Sequence, residues 1–431
     1  MNATSEPPRL SIDHSVADHP VRPTRGLSLG RWLLWWAAWS FWLLLDTLWF
    51  RLRVRGADAL PKDGPLLILG NHTGTLDAIW AGWAMQRPLH TMAATSVLRI
   101  PVLGKIAAGL GAFGKKKYVR DVGSMKKMIA LLRDGQAVMV YPEGMRTWDG
   151  RGLPLIPGMG RLIRKMKVPV VYMRLETTFL AHPRWATYPR FVPARVTFDG
   201  PYTYGPTWSA EAIEADVRRR ISVVPRLQDA AIARGFRLAW GLPGYLWACP
   251  VCAAEESLGV DAGAGDRLTC RRCRRSWRLD LECVLHGDGD APTMELAEAI
   301  QRVEAAVGMP PVVDPARLEG RGLLLEVQNG RLRRCLPDSS ETEPFAAGTL
   351  RLTRDRLSVA GADATERWGV DLVDIDAVSV EVASRVYVRT GGELYILDPA
   401  QQSTCKWGVF LRAWRSHQRG DGSDVVSLSA P

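Results

Sequence analysis

The hydrophobic pattern divides the chain into stretches of different period. Positions 1–27 are rich in Pro, Ser, His and Arg, show no periodicity and predict disorder. Trp32 to Phe50 follows, nineteen residues with one charge, Asp46; as a helix it would be roughly 28 Å long, close to the thickness of a bilayer's hydrocarbon. Trp32, Trp35, Trp36 and Trp39 recur at helical spacing, and Trp42 and Trp49 lie at the edge of that stripe. Tryptophan favours the headgroup level, so the stripe fits a segment lying in one leaflet, while the length alone fits a single span. Arg22, Arg25 and Arg31 precede the run and Arg51, Arg53 and Arg55 follow it, so charge does not choose an orientation.

From about residue 51 strand-like and helix-like periods alternate, which predicts an α/β fold. Strands are expected at 65–69, 89–94, 137–141, 168–175 and 192–198, and helices at 75–86, 97–109, 123–134, 157–167 and 209–234, the first capped by Thr75. A helix is expected at 295–307. After Pro310-Pro311 the period shortens to seven strands, at 323–327, 348–352, 357–360, 370–375, 377–382, 386–389 and 394–397, closed by a helix at 405–417.

Composition narrows the class. The 431 residues exceed one ordinary core, so two or three domains are expected, and 47% hydrophobic with 23% charged residues is a globular balance. The net charge of +11 suits an anionic membrane face or nucleic acid. Seven cysteines include two tight pairs, which points to a metal in a reducing compartment rather than a disulfide framework.

Two short segments carry candidate chemistry. Asn71-His72-Thr73-Gly74-Thr75-Leu76-Asp77 places a base near a carboxylate. On a continuous helix, five positions would turn the two side chains roughly 140° apart. They meet only if His72 lies in the turn after a strand and Asp77 in the first helical turn, where Asp77 would orient the ring. Tyr141-Pro142-Glu143-Gly144-Met145-Arg146 follows an apolar strand that Pro142 stops and Gly144 turns, so Glu143 and Arg146 project from a strand end, where α/β sites sit. The basic run Lys115 to Arg120 could receive a phosphate. Taken singly, these motifs are also compatible with a helix cap, a surface ion pair and a solvated face.

In this order, with the apolar strand opened by Val168-Pro169, the motifs resemble those of the glycerolipid acyltransferase family, typified by lysophosphatidic acid acyltransferase, over about residues 28–225. The resemblance implies a mixed sheet flanked by helices, held to one leaflet by an N-terminal membrane segment. It implies His72 as general base, Asp77 as its orienting partner, and Arg120, Glu143, Gly144 and Arg146 as the site for the acceptor's polar head. Acyl-CoA or acyl-carrier protein would be the donor and co-substrate, and a lysophospholipid such as lysophosphatidate the acceptor. The chain would work on a phospholipid membrane, at the cytoplasmic face of the inner (plasma) membrane, with no nucleic acid as partner. Tyr141 replaces the family's Phe, Met145 its Thr, and Lys117 stands where an aromatic is expected, which puts the acceptor's identity in question. A catalytically inactive lipid-binding scaffold and a zinc-ribbon nucleic-acid binder are the competing readings.

Cys249-Pro-Val-Cys252 and Cys270-Arg-Arg-Cys273, seventeen residues apart, match a zinc ribbon with a structural zinc on four thiolates. Cys283, Cys335 and Cys405 have no partner by spacing. The seven strands and closing helix resemble a pleckstrin-homology-like or GRAM-like domain, in pattern only. The expected domains are a disordered 1–27, a membrane segment 28–55, an acyltransferase domain 56–235, a zinc ribbon 236–290, a helical linker 291–320, a mainly-β domain 321–420 and a disordered tail 421–431.

Overall fold

The computed structural model describes residues 29–45, 51–74, 76–85, 87–115, 121–228, 230–306, 322–336, 341–381 and 385–419. The chain divides into two compact units, Met1–Ala181 with Phe191–Ala233, and His182–Arg190 with Arg234–Pro431.

The first unit is a mixed α/β layer structure. Its strands are β1 (Arg53–Arg55), β2 (Leu66–Gly70), β3 (His90–Ala94), β4 (Phe113–Lys115), β5 (Ala137–Val140), β6 (Val170–Leu175) and β7 (Arg195–Tyr202), in the order β1-β7-β6-β2-β5-β3-β4. β2 pairs in parallel with β5 on one side and β6 on the other, β5 with β3 and β3 with β4 are also parallel, and β7 runs antiparallel to β6. The apolar run Leu66 to Leu69 is fully buried because β2 is central and covered on both faces. Its helices are α1 (Leu29–Leu45), α2 (Asp77–Met85), α3 (Thr95–Leu98), α4 (Leu103–Gly109), α5 (Val122–Arg133), α6 (Met159–Met166), α7 (Thr178–Ala181) and α8 (Ala210–Ile221). Leu67, Leu69, Val138 and Tyr172 from the sheet pack in one cluster with Met128 and Leu132 of α5, Ile163 of α6 and Val217 of α8.

Two expected helices are shorter than their apolar patterns. The one at 97–109 splits into α3 and α4, because Pro101 denies a backbone N–H and Val102 turns with φ +66°. The one at 209–234 ends at Ile221, with Ser222 already extended and Pro225 barring continuation. Among the described residues no helix is long and apolar enough to cross a membrane; α1 has 17 residues, and 46–50 lie outside the described set, as does Thr75.

The second unit holds the short helix α9 (Leu242–Tyr245), which is followed by a five-stranded antiparallel sheet. Its strands are β8 (Leu258–Val260), β9 (Arg267–Cys270), β10 (Ser276–Leu279), β11 (Val284–Gly287) and β12 (Met294–Glu295), in meander order, and α10 (Leu296–Ala306) follows. A second antiparallel sheet holds β13 (Leu323–Cys335), β14 (Thr342–Thr353), β15 (Arg356–Ala360), β16 (Glu366–Asp371), β17 (Ile375–Glu381), β18 (Arg385–Thr390) and β19 (Glu393–Asp398), in the order β16-β15-β14-β13-β19-β18-β17. α11 (Thr404–Arg419) closes this unit and buries every residue from Thr404 to Ser416.

Candidate active site

The site follows from the register of two neighbouring strands. β2 and β5 are parallel, with Leu66 beside Ala137 and Leu69 beside Val140. Each chain leaves the sheet at the same edge, so His72 and Glu143 both emerge past the carboxyl ends of their strands. Asn71 fixes the exit from β2: its Nδ2 donates to the Leu175 carbonyl at 3.1 Å, and the Leu175 N–H donates to its Oδ1 at 2.8 Å. A buried amide thereby acts as one more ladder partner for β6, 104 positions away.

His72 lies in the turn after β2 and Asp77 begins α2, the arrangement that lets the two meet. His72 Nδ1 lies 2.8 Å from Asp77 Oδ2. Because an ionised carboxylate only accepts, Nδ1 carries the hydrogen. Asp77 is fully buried and also accepts from the Thr73 N–H at 2.6 Å, the Gly74 N–H at 2.9 Å and Thr73 Oγ1 at 3.2 Å. Thr73 Oγ1 meets Thr178 Oγ1 of α7 at 2.6 Å, tying the pair to the end of β6. The His72 ring stacks on Tyr141, centroids 4.1 Å apart and planes at 12°. With 24% of its side chain exposed, His72 is reachable while its partner is not.

The segment after β5 lies alongside. The Thr147 N–H donates to the His72 carbonyl at 2.9 Å, and the Ile156 N–H to the Pro142 carbonyl at 2.8 Å, so this turn is pinned to the His72 turn and to the chain that follows. Gly144 sits at φ +70°, a left-handed conformation that favours glycine, and the added Cβ of another residue would have to displace the exposed Ile156 side chain. Glu143 is buried, and neither carboxyl oxygen has a partner of good hydrogen-bond geometry. Burial pushes its pKa up to about 8, nearby backbone N–H groups of Leu153 and His72 pull it back in part, and the Asp77 charge adds to the rise. Burial lowers the pKa of Arg146, opposed by attraction to Asp77, so its guanidinium shares the field of the His72–Asp77 pair. Asp149 is also shifted upward by burial, against bonds from the Arg151 N–H and the Thr147 hydroxyl.

The structure thus brings together His72, Asp77, Glu143, Gly144 and Arg146. Arg120 lies in 116–120, outside the described residues. Thr73, Thr178, Asn71 and the stacking face of Tyr141 join the site without having been singled out as site residues in the sequence; only the strand-end positions of Asn71 and Tyr141 hinted at it. Cys249, Cys252, Cys270 and Cys273 converge in the second unit, their four Sγ atoms all within 4.8 Å of one another.

Residues 51–176 match the family model described as Acyltransferase. The chain is 28% identical over 102 residues to a 1-acyl-sn-glycerol-3-phosphate acyltransferase of Borreliella burgdorferi, covering 23% of this chain and 41% of that one. It is 29% identical over 132 residues to a chloroplastic 1-acyl-sn-glycerol-3-phosphate acyltransferase of Brassica napus, covering 30% and 38%. The chain therefore spans about two fifths of the length of these two curated relatives. The crystal structure of the 1-acyl-sn-glycerophosphate acyltransferase of Thermotoga maritima aligns with 46% of this chain and 80% of that one, at TM-score 0.39 and 21% identity.

Proposed function

We propose that this chain moves a fatty acyl group from acyl-CoA, or acyl-carrier protein, to the free hydroxyl of lysophosphatidate or a related lysophospholipid. The observation that carries the reading is the His72–Asp77 bond of 2.8 Å at the carboxyl edge of the sheet, beside Glu143 and Arg146. The match of residues 51–176 to acyltransferases supports it.

In this reading His72 Nε2 takes the acceptor's hydroxyl proton as the oxygen attacks the thioester carbonyl. The buried Asp77 carboxylate stabilises the imidazolium that forms. The tetrahedral intermediate collapses with loss of the thiolate, which takes the proton back from the imidazolium. No nucleophilic Ser or Cys is required, so the transfer is direct. Arg146 holds the acceptor's phosphate by a charge-assisted bond. Glu143, its acid form favoured at neutral pH, donates to an acceptor oxygen. Arg120 joins Arg146 at the phosphate. The substrates are amphipathic, and α1 exposes Leu29, Leu33, Trp36, Phe41 and Leu44 to meet a membrane, on its cytoplasmic face.

The test is to supply the full-length chain with labelled acyl-CoA and lysophosphatidate in detergent micelles. Diacyl product should form only with both substrates, and Arg146→Ala should raise the acceptor's KM much more than the donor's. Thioester hydrolysis with no acylated lipid would replace this reading with a thioesterase.

A further inference from the structure

We propose that Cys249, Cys252, Cys270 and Cys273 hold one structural Zn²⁺, and that this ion fixes the seat of the C-terminal helix α11. The proposal does not depend on acyl transfer. The Sγ atoms of Cys249 and Cys273 lie 3.7 Å apart, and those of Cys252 and Cys270 lie 3.8 Å apart. Four sulfurs placed tetrahedrally at about 2.3 Å from a zinc ion would be roughly 3.8 Å from one another. A disulfide would need about 2.05 Å, and all four residues are free thiols.

The backbone repeats one construction twice. Cys249 donates its N–H to the Ala254 carbonyl at 3.1 Å and accepts from the Ala253 N–H at 2.9 Å. Cys270 donates to the Arg275 carbonyl at 2.9 Å and accepts from the Arg274 N–H at 3.0 Å. The residue after each second cysteine is left-handed, Ala253 at φ +54° and Arg274 at φ +63°. Two unrelated sequences, Cys-Pro-Val-Cys-Ala-Ala and Cys-Arg-Arg-Cys-Arg-Arg, therefore adopt the same knuckle, each aiming two sulfurs at the same point. Cys270 Sγ also takes the Cys273 N–H at 3.5 Å and lies 3.3 Å from Ser257 Oγ, whose hydroxyl donates to the Ala254 carbonyl at 2.6 Å, contacts that hold the sulfur in place. Four soft donors in a tetrahedron select zinc over hard cations, and a closed four-sulfur set leaves no position for a reacting water.

The first knuckle runs directly into the seat of α11. Glu256 Oε1 accepts the Ser403 N–H at 3.1 Å, just before the helix starts. Lys406 is buried, and its Nζ meets Glu255 Oε2 at 2.5 Å and Glu256 Oε1 at 3.8 Å. Trp247, two residues before Cys249, packs edge-on against Phe410 at 5.8 Å. A buried ammonium depends on these carboxylates staying in place, and they are carried by the four residues that follow Cys252. Zinc that fixes the knuckle therefore fixes the pair that anchors α11.

Elemental analysis of the full-length chain should give one zinc per molecule, and Cys270→Ser should fall below a tenth of that. Hydrogen exchange across 404–416 should quicken at least tenfold in Cys270→Ser, while the peptides of β2 and β5 keep their protection. Lys406→Met should keep the zinc yet quicken exchange in the same helix. If Cys270→Ser does not fold, stripping zinc from the wild-type chain with a chelator and restoring it gives the same comparison. Absence of metal, iron in place of zinc, or unchanged α11 exchange after zinc loss would each overturn the proposal.

Discussion

At the scale of residues, Asp77 is the hub. Its carboxylate takes the His72 ring, two backbone N–H groups and the Thr73 hydroxyl, so its position is set from several directions. The His72–Asp77 contact was expected from the sequence because a turn after a strand, followed by a first helical turn, can bring side chains five positions apart together, and the pair's role was what the family resemblance implied. Thr178 was not legible: it reaches Thr73 across 105 positions, and no local pattern marks such a pairing. Thr178→Val removes the hydroxyl and keeps the shape, and should lower kcat roughly fivefold, the worth of one hydrogen bond of about 1 kcal/mol. KM should stay unchanged and Thr178→Ser should restore the rate; equal loss in the Ser variant would mean the methyl group, not the hydroxyl, matters.

Glu143 gives a prediction with a sign. Its pKa rises from an ordinary 4.5 to about 8 in the folded chain, so the native state binds the proton more tightly between those values. The contribution to stability is complete below about pH 4.5 and is lost as pH rises through about 8. Glu143→Gln should flatten this dependence, a change on the order of a few kcal/mol across the window, read from urea midpoints at several pH values. As an uncharged donor, Gln should also keep more activity at neutral pH than Ala. A Gln variant as pH-dependent as the wild type would show that Glu143 is not the titrating group.

At the scale of elements, the five expected strands around the site appear within a few residues of their places; β2, β5 and β6 are buried apolar runs in the parallel centre of the sheet, while β7 is antiparallel and only partly buried. The edge strands β1 and β4 were missed; three residues each carry too little pattern to register. The strand expected at 323–327 is longer in the structure, β13 spanning Leu323–Cys335. Asn329 takes φ +59° inside a register shift between Val327 and Gly330, so the chain makes a bulge there and the strand continues to Cys335. Helix α6 shows what sequence alone could not: Gly160 passes so close to α8 that an added Cβ would stand 1.9 Å from the Ala210 carbonyl oxygen, while Glu214 Oε1 accepts from the Gly158 and Gly160 N–H groups at 3.1 Å each. Gly160→Ala should destabilise the first unit by about 1–3 kcal/mol through overpacking despite its better helix propensity, seen as a lower urea midpoint. An unchanged or higher midpoint would mean that α6 and α8 separate freely.

At the scale of the whole molecule, the chain joins two units of different legibility. The family match ends at residue 176, inside the first unit, and everything about acyl transfer rests on that unit. In the second unit the two Cys-x2-Cys pairs pointed to four residues that converge, and their Sγ atoms lie within 4.8 Å of one another. The burial of α11 was not legible, because its Lys406, Arg412 and Arg415 are polar residues inside a core, and hydrophobic patterning places such residues outside. The measurement that tests the central claim most directly follows the coupled release of CoA thiol and appearance of diacyl lipid by the purified full-length chain, wild type against His72→Ala. The account predicts a loss of roughly 10²–10⁴-fold in rate with unchanged thermal unfolding. Near-native turnover by His72→Ala would contradict it.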